Sequence, residues 1–260
     1  MPTITAAWGA VRASLQGEYF NDIKTIVGLA GLDLTAIGSV QQKQGEGGAS
    51  KGQLMSAIDV ELGQLDGDGQ RHFVAIVAEE LLSRKPDLSE QLADKLARHG
   101  WGLIDNRLVP LELFDPAELA TLPDAPRAEL SKAAVRFRDG DLAGAITAAF
   151  GAVEVATTEI YHRFSLGDPT DASFQERCNV ALKKAADHEK GLRELGWDDA
   201  SLKMFVQNRG KAFGQGAYVM QTLRSRMGDV HGTKPVLKPL VFEALKWAEL
   251  FVRTLTMGPE

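Results

Sequence analysis

Between Leu142 and Phe164 the apolar residues Leu142, Ala145, Ile146, Ala149, Val153, Ala156, Ile160 and Phe164 recur at spacings of three and four. A strand would scatter them over two faces, whereas an α-helix gathers them into one stripe about six turns long. Such a stripe has to be buried against other helices. Gly140 supplies a turn ahead of it and Asp141 an N-cap. A second stripe, Leu237, Leu240, Val241, Ala244, Ala248, Phe251, Val252 and Leu255, closes the chain. Phe174–Leu195 reads as another helical run. "GWDDASL" caps a further one, which continues through Phe205, Phe213, Met220 and Leu223. The expected fold is mainly α, with a bundle of four to five helices over residues 119–260.

Residues 1–118 read as a smaller helical region with a short β-hairpin. Helices are expected at Tyr19–Ala30, Gln53–Leu65, Gln70–Ser83 and Leu88–Arg98, with Asp68 capping the third. "GWGLIDNRLVPLEL", Gly100–Leu113, reads as a hairpin turning at Asp105–Asn106. The proline-punctuated Phe114–Leu130 marks the junction. The glycine-rich Lys43–Gly52 is not a phosphate-binding loop, because Ser50 stands where that motif needs glycine and no strand precedes it. "DGDG" at Asp66–Gly69 lacks the later ligands of a calcium loop. Helix, helix, hairpin would also fit a winged helix, and hence a DNA-binding regulator acting through the N-terminal half. Its candidate reading helix, however, offers Lys95 and Arg98 against three acids.

With 44% hydrophobic and 25% charged residues the composition is that of a soluble globular protein. No run reaches the roughly 18 apolar residues of a membrane span, and the N-terminus lacks a charged segment followed by an apolar one. Cys178 is alone, so a disulfide framework is excluded and the cytoplasm is the expected compartment. His72, His99, His162 and His188 show no pairing typical of metal ligands, and no metal or other cofactor is expected. The net charge of −6 speaks against general nucleic-acid binding. Yet Ser201–Leu240 carries seven lysines and arginines against one acid, Asp229. A basic patch on an acidic protein suits a local polyanion such as RNA.

That window contains "LRSRMGDVHG", Leu223–Gly232. The helix through Met220, Leu223 and Met227 is expected to stop at Gly228 as a left-handed C′ residue. Arg224 and Arg226 then sit in its last turn, where the helix dipole favours cations. Thr233 and Pro235 are expected to open the final helix, which pins His231 on a short loop near Arg224. Cleavage of RNA by its own 2′-hydroxyl needs a proton removed, a leaving oxygen protonated and phosphorane charge neutralised. A histidine titrates in the right range for the proton transfers, and an arginine grips phosphate oxygens in a fork. The plain alternative is a capped helix end followed by a loop histidine bonded to backbone.

"LRSRMGDVHG" resembles the "LRNKxGxGHG" signature of Abi-C domains, the C-terminal domains of abortive-infection proteins within the HEPN superfamily. In that likeness Arg224 is the family arginine, Ser225 takes the place of its usual asparagine, Arg226 of its lysine, and His231 is its histidine. Gly228, Asp229 and Gly232 also match. Upstream, "RFRDGDLAGAITAAFGAVEVATTEI" is similar to the family's "GDxxxAI" helices with a glutamate further on, a place held by Glu154. The likeness covers about Leu130–Met257. It implies a metal-independent endoribonuclease of antiviral (abortive infection) or toxin–antitoxin defence, with Arg224 and His231 catalytic. It also implies a homodimer with a shared active-site cleft, and an antitoxin or other regulatory partner. Ser225, Asp229 and Glu154 would support the pair. Arg226, Lys234, Arg209 and Lys211 would contact RNA. The rival expectation is a HEPN module that binds RNA or protein without cutting. Gly210, Gly214 and Gly216, unusual inside a helix, imply a break or a close helix approach, such as a dimer interface would need.

Overall fold

The computed structural model describes residues 4–33, 41–42, 48–185, 189–229 and 234–257. The protein is mainly helical, with one antiparallel two-stranded hairpin among these residues. It divides into two compact units, Met1–Pro116 with Arg138–Gly140, and Ala117–Phe137 with Asp141–Glu260.

In the first unit α1 (Ile4–Leu15) buries Ile4, Ala7, Trp8, Val11 and Leu15 along one face. This helix was not expected, although its apolar spacing follows the same rule of three and four. Next come α2 (Phe20–Leu29), α3 (Lys51–Gln64), α4 (Gly67–Arg84) and α5 (Ser89–Ala97). Ser50 and Gln53 close a reciprocal capping box at the start of α3. The cap of α4 is Asp66, whose carboxylate accepts from the Gly69 amide at 2.7 Å. Asp68, expected in that role, lies in the first turn, because the helix starts one residue earlier at Gly67. β1 (Trp101–Ile104) pairs with β2 (Arg107–Pro110), Trp101 opposite Pro110. Asp105 and Asn106 turn between them with φ of 50° and 62°, the paired left-handed geometry of a tight hairpin. Trp101 is fully buried, and Trp8 meets Phe73 edge-on at 5.5 Å. Inside this unit Arg138 donates to Glu79 Oε1 and to the Leu108 carbonyl, both at 2.7 Å.

The second unit is built from α6 (Pro116–Leu119), α7 (Asp124–Arg138), α8 (Leu142–Phe164), α9 (Phe174–Ala185), α10 (Glu189–Glu194), α11 (Asp199–Met227) and α12 (Lys238–Thr256). Helix α8 is its axis. It buries Ala145, Ile146, Ala149, Val153, Ala156 and Ile160, and packs against α9, α11 and α12. The ends of its stripe, Leu142 and Phe164, are not buried. Asp141 caps α8 by accepting from the Gly144 amide at 2.9 Å, with Gly140 at φ +81° before it. Asp198 caps α11 through the Ala200 and Ser201 amides.

Helix α11 runs unbroken through all three glycines. A Cβ on Gly216 would lie 2.7 Å from the Trp247 ring of α12, and one on Gly214 would lie 3.1 Å from Asn179 Oδ1 of α9. Two of the glycines thus permit close helix approach within this chain, while Gly210 faces open space. Helix α12 starts at Lys238, with Pro239 in its first turn, later than the expected opening at Thr233 and Pro235. Proline is tolerated there because the first-turn amides have no intrahelical acceptor. Thr233 lies outside the described residues, as does half of the glycine-rich Lys43–Gly52 segment, residues 43–47. Among the described residues no helix is long and apolar enough to cross a membrane.

Candidate functional site

The C-terminus of α11 ends differently from the sequence expectation. Gly228 has φ −68° and ψ 159°, an extended conformation open to any residue rather than the left-handed one. Close approach explains the glycine instead. A Cβ there would stand 2.6 Å from the Arg224 carbonyl oxygen and 3.2 Å from Thr147 Oγ1 of α8. Its amide donates to the Arg224 carbonyl at 3.0 Å. The chain then returns to the helix end, where the Lys234 amide donates to the Arg226 carbonyl at 2.9 Å. Val230, His231 and Gly232, and with them the expected catalytic histidine, lie outside the described residues.

Asp229 is anchored to the opposite helices. Its carboxylate accepts from the Thr147 hydroxyl, and Arg136 Nη1 of α7 stands 3.4 Å from Asp229 Oδ2. The Thr147 hydrogen bond holds this carboxyl below its ordinary value against the opposing effect of burial, with a lesser contribution from the Arg136 charge. An ionised Asp229 therefore fixes the first residue beyond the glycine.

Arg224 lies one turn back, half-buried. Its Nη1 is 3.4 Å from Glu154 Oε1 on α8, and its guanidinium carbon is 4.1 Å from the centre of the Phe150 ring. Phe150 in turn stacks on Phe174 at 3.8 Å with 23° between the planes. Thr147, Phe150 and Glu154, at i, i+3 and i+7, share one face of α8, so a single helix face organises the whole end of α11. The aromatic face and the carboxylate fix the plane of the Arg224 fork, about a third of which stays exposed. A half-exposed guanidinium held in this way is suited to a second anion, above all a planar or tetrahedral oxyanion.

A second guanidinium reaches the same carboxylate. Arg177 of α9 is 7% exposed, and its Nη2 is 3.3 Å from Glu154 Oε1. Sequence reasoning missed it, as it missed Arg136, Thr147 and Phe150. For Thr147 and Phe150 the signal was present, since both lie on the Glu154 face of the α8 repeat. Arg177 carries no such mark.

The remaining expected residues are distributed differently. Ser225 is exposed, and its hydroxyl donates to the Gln221 carbonyl of its own helix at 2.7 Å. Arg226 and Lys234 are exposed at the helix end. Arg209 and Lys211 lie some 20 Å back along α11, at the helical rise of 1.5 Å per residue, beside a cleft of about 660 Å³ between α9, α10 and α11. Arg209 lies over the Phe213 ring at 5.0 Å, and burial pulls its pKa down. At 100° per residue Arg209 shares a side of α11 with Arg224, and Lys211 with Arg226, on roughly opposite sides of the helix. The structure therefore pairs Arg224 with Glu154, holds Asp229 on Thr147 about two turns away along α8, and leaves Arg209 and Lys211 apart from them. No cluster of three or more histidine, cysteine or acidic side chains suited to a metal occurs among the described residues. Compared with protein-family models, with curated proteins and with solved structures, the chain matches none.

Proposed function

We propose that the protein is a HEPN-type endoribonuclease of the cytoplasm, acting in defence against phage or in a toxin–antitoxin pair, with Arg224 and His231 as its catalytic residues. The observation that supports this reading is Arg224 itself. A guanidinium about one-third exposed, oriented by Glu154 and Phe150 at the end of a helix, is suited to take a phosphodiester. His231 follows two residues after Asp229 in the sequence. In the proposed reaction the imidazole transfers the proton between the 2′-hydroxyl and the leaving oxygen, while Arg224 neutralises charge on the phosphorane. No metal takes part in these steps. Two copies of the chain would form the shared cleft, and Arg226 and Lys234 would lengthen the phosphate contact.

One observation favours a second reading, a HEPN module that holds RNA or a protein without cutting. The Ser225 hydroxyl, where the family usually carries asparagine, is directed into its own helix. Purified wild type, Arg224→Ala and His231→Ala, incubated with folded and unstructured RNA in excess chelator, separate the two readings. The nuclease reading expects cleavage by the wild type alone. Equal residual cleavage by all three would overturn it, and retained RNA binding in that case would establish the binding module.

A further inference from the structure

Arg177 has a partner problem that the proposed reaction does not by itself explain. Its side chain is nine-tenths buried, and neither Nε nor Nη2 has a hydrogen-bond acceptor among the described residues. Nη2 has only the ionic contact to Glu154 Oε1 at 3.3 Å, and that oxygen is shared with Arg224 Nη1 at 3.4 Å. Among the described residues no other carboxylate stands within ion-pairing distance of Arg177. Burial pushes the Cys178 thiol up to about 12, and burial likewise raises Tyr161, so both stay neutral near pH 7. Two guanidinia thus divide one carboxylate, and the more buried one has N–H groups to spare.

This arrangement matters when an anion reaches Arg224. A phosphodiester there competes with Glu154 for the same fork, and a carboxylate left beside it would repel it. The unoccupied Nε–H and Nη2–H of Arg177 form the edge that a carboxylate can take in bidentate fashion. Building on the reading of Arg224 as a phosphate ligand, we propose that Arg177 is a positioning residue. It retains Glu154 when Arg224 turns to RNA. Glu154 acts as an internal stand-in for phosphate in the free protein and moves fully onto Arg177 in the complex. The exchange needs no change of protonation and leaves no charge unpaired.

The test is the binding of a 2′-O-methyl RNA dodecamer, which cannot be cleaved, followed by fluorescence anisotropy on the full chain. Arg224→Ala is the control for the underlying reading, and an unchanged Kd for it would remove that reading and this inference together. Given a weakened Arg224→Ala, Arg177→Met is expected to weaken binding about tenfold, because Glu154 then has Arg224 as its main cation; tenfold corresponds to about 1.4 kcal/mol. Adding Glu154→Gln to Arg177→Met is expected to restore the wild-type Kd or better, since the competing charge is gone. A merely structural role for Arg177 would not be rescued in this way. Unchanged binding by Arg177→Met, or a loss that Glu154→Gln leaves in place, overturns the inference while the Arg224 reading stands. If Arg177→Met does not fold by circular dichroism, Arg177→Lys carries the same comparison. It keeps the charge but loses the fork, and a smaller loss, again rescued by Glu154→Gln, is expected.

Discussion

Single residues at the end of α11 do their work through what they touch. Asp229 accepts a hydrogen bond from Thr147 and lies beside Arg136, and both favour its ionised form. Its pKa in the folded chain is therefore below the ordinary 3.8. A lowered carboxyl contributes stability that is fully present above the unfolded pKa and is lost as pH falls through the folded one. Asp229→Asn should accordingly lower Tm at pH 6 to 7, and the gap to wild type should close as melts are taken from pH 4 towards pH 3. A gap that persisted unchanged at pH 3 would assign the loss to packing. Much of this end was legible in the chain, but not for the reasons given by pattern. Gly228 was correctly placed at the helix stop, yet its backbone is extended and its role is to admit the Arg224 carbonyl and Thr147. Close approach by a distant helix leaves no local trace, whereas the φ +81° at Gly140 follows directly from a turn ahead of a capped helix.

At the scale of elements, periodicity located most helices, and the caps read at Asp141 and in "GWDDASL" fixed two starts, whereas those read at Asp68 and Thr233 did not. The hairpin turn at Asp105–Asn106 was readable because two residues that tolerate left-handed geometry stand between β-prone runs. Partner choice was not readable, and the glycines of α11 show why. Gly210 and Gly216 look alike in sequence, six residues apart on one helix, but Gly210 faces open space and Gly216 lies under Trp247. Alanine at an exposed helix interior position is worth about 1 kcal/mol over glycine. Gly210→Ala should thus raise stability by up to about that amount. Gly216→Ala gains the same helix propensity but drives a methyl into an indole ring, and overpacking costs typically about 1–3 kcal/mol. It should be net destabilising, and Trp247→Leu in the same chain should recover part of the loss. Urea titrations of the three variants check this, and a Gly216→Ala protein as stable as Gly210→Ala would show that α11 and α12 do not approach so closely.

For the molecule as a whole, the surplus of cations in Ser201–Leu240 is genuine in sequence but is not one surface. Helix α11 distributes it, with Arg224 and Arg209 towards one side and Arg226 and Lys211 towards the other, each pair separated by about 22 Å along the axis. Charge counting could find the surplus, but only the continuity of α11 through its glycines tells how it is laid out. If the protein binds RNA at Arg224, length should decide which cations are felt. A trinucleotide, about 10 Å long at 3.4 Å per stacked nucleotide, contacts the helix end alone. Its affinity should fall with Arg224→Ala and be indifferent to Arg209→Ala and Lys211→Ala. A dodecamer continuing along the Arg224 side reaches Arg209, so Arg209→Ala should reduce the slope of log K against log salt by about one. Lys211→Ala should leave that slope unchanged, because its side chain emerges about 140° away around the helix from Arg224. Equal losses from both substitutions would mean that RNA follows the cleft between α9, α10 and α11 rather than one side of α11. Loss of trinucleotide affinity on Arg209→Ala would mean that the binding site is centred on Arg209 and not on the helix end.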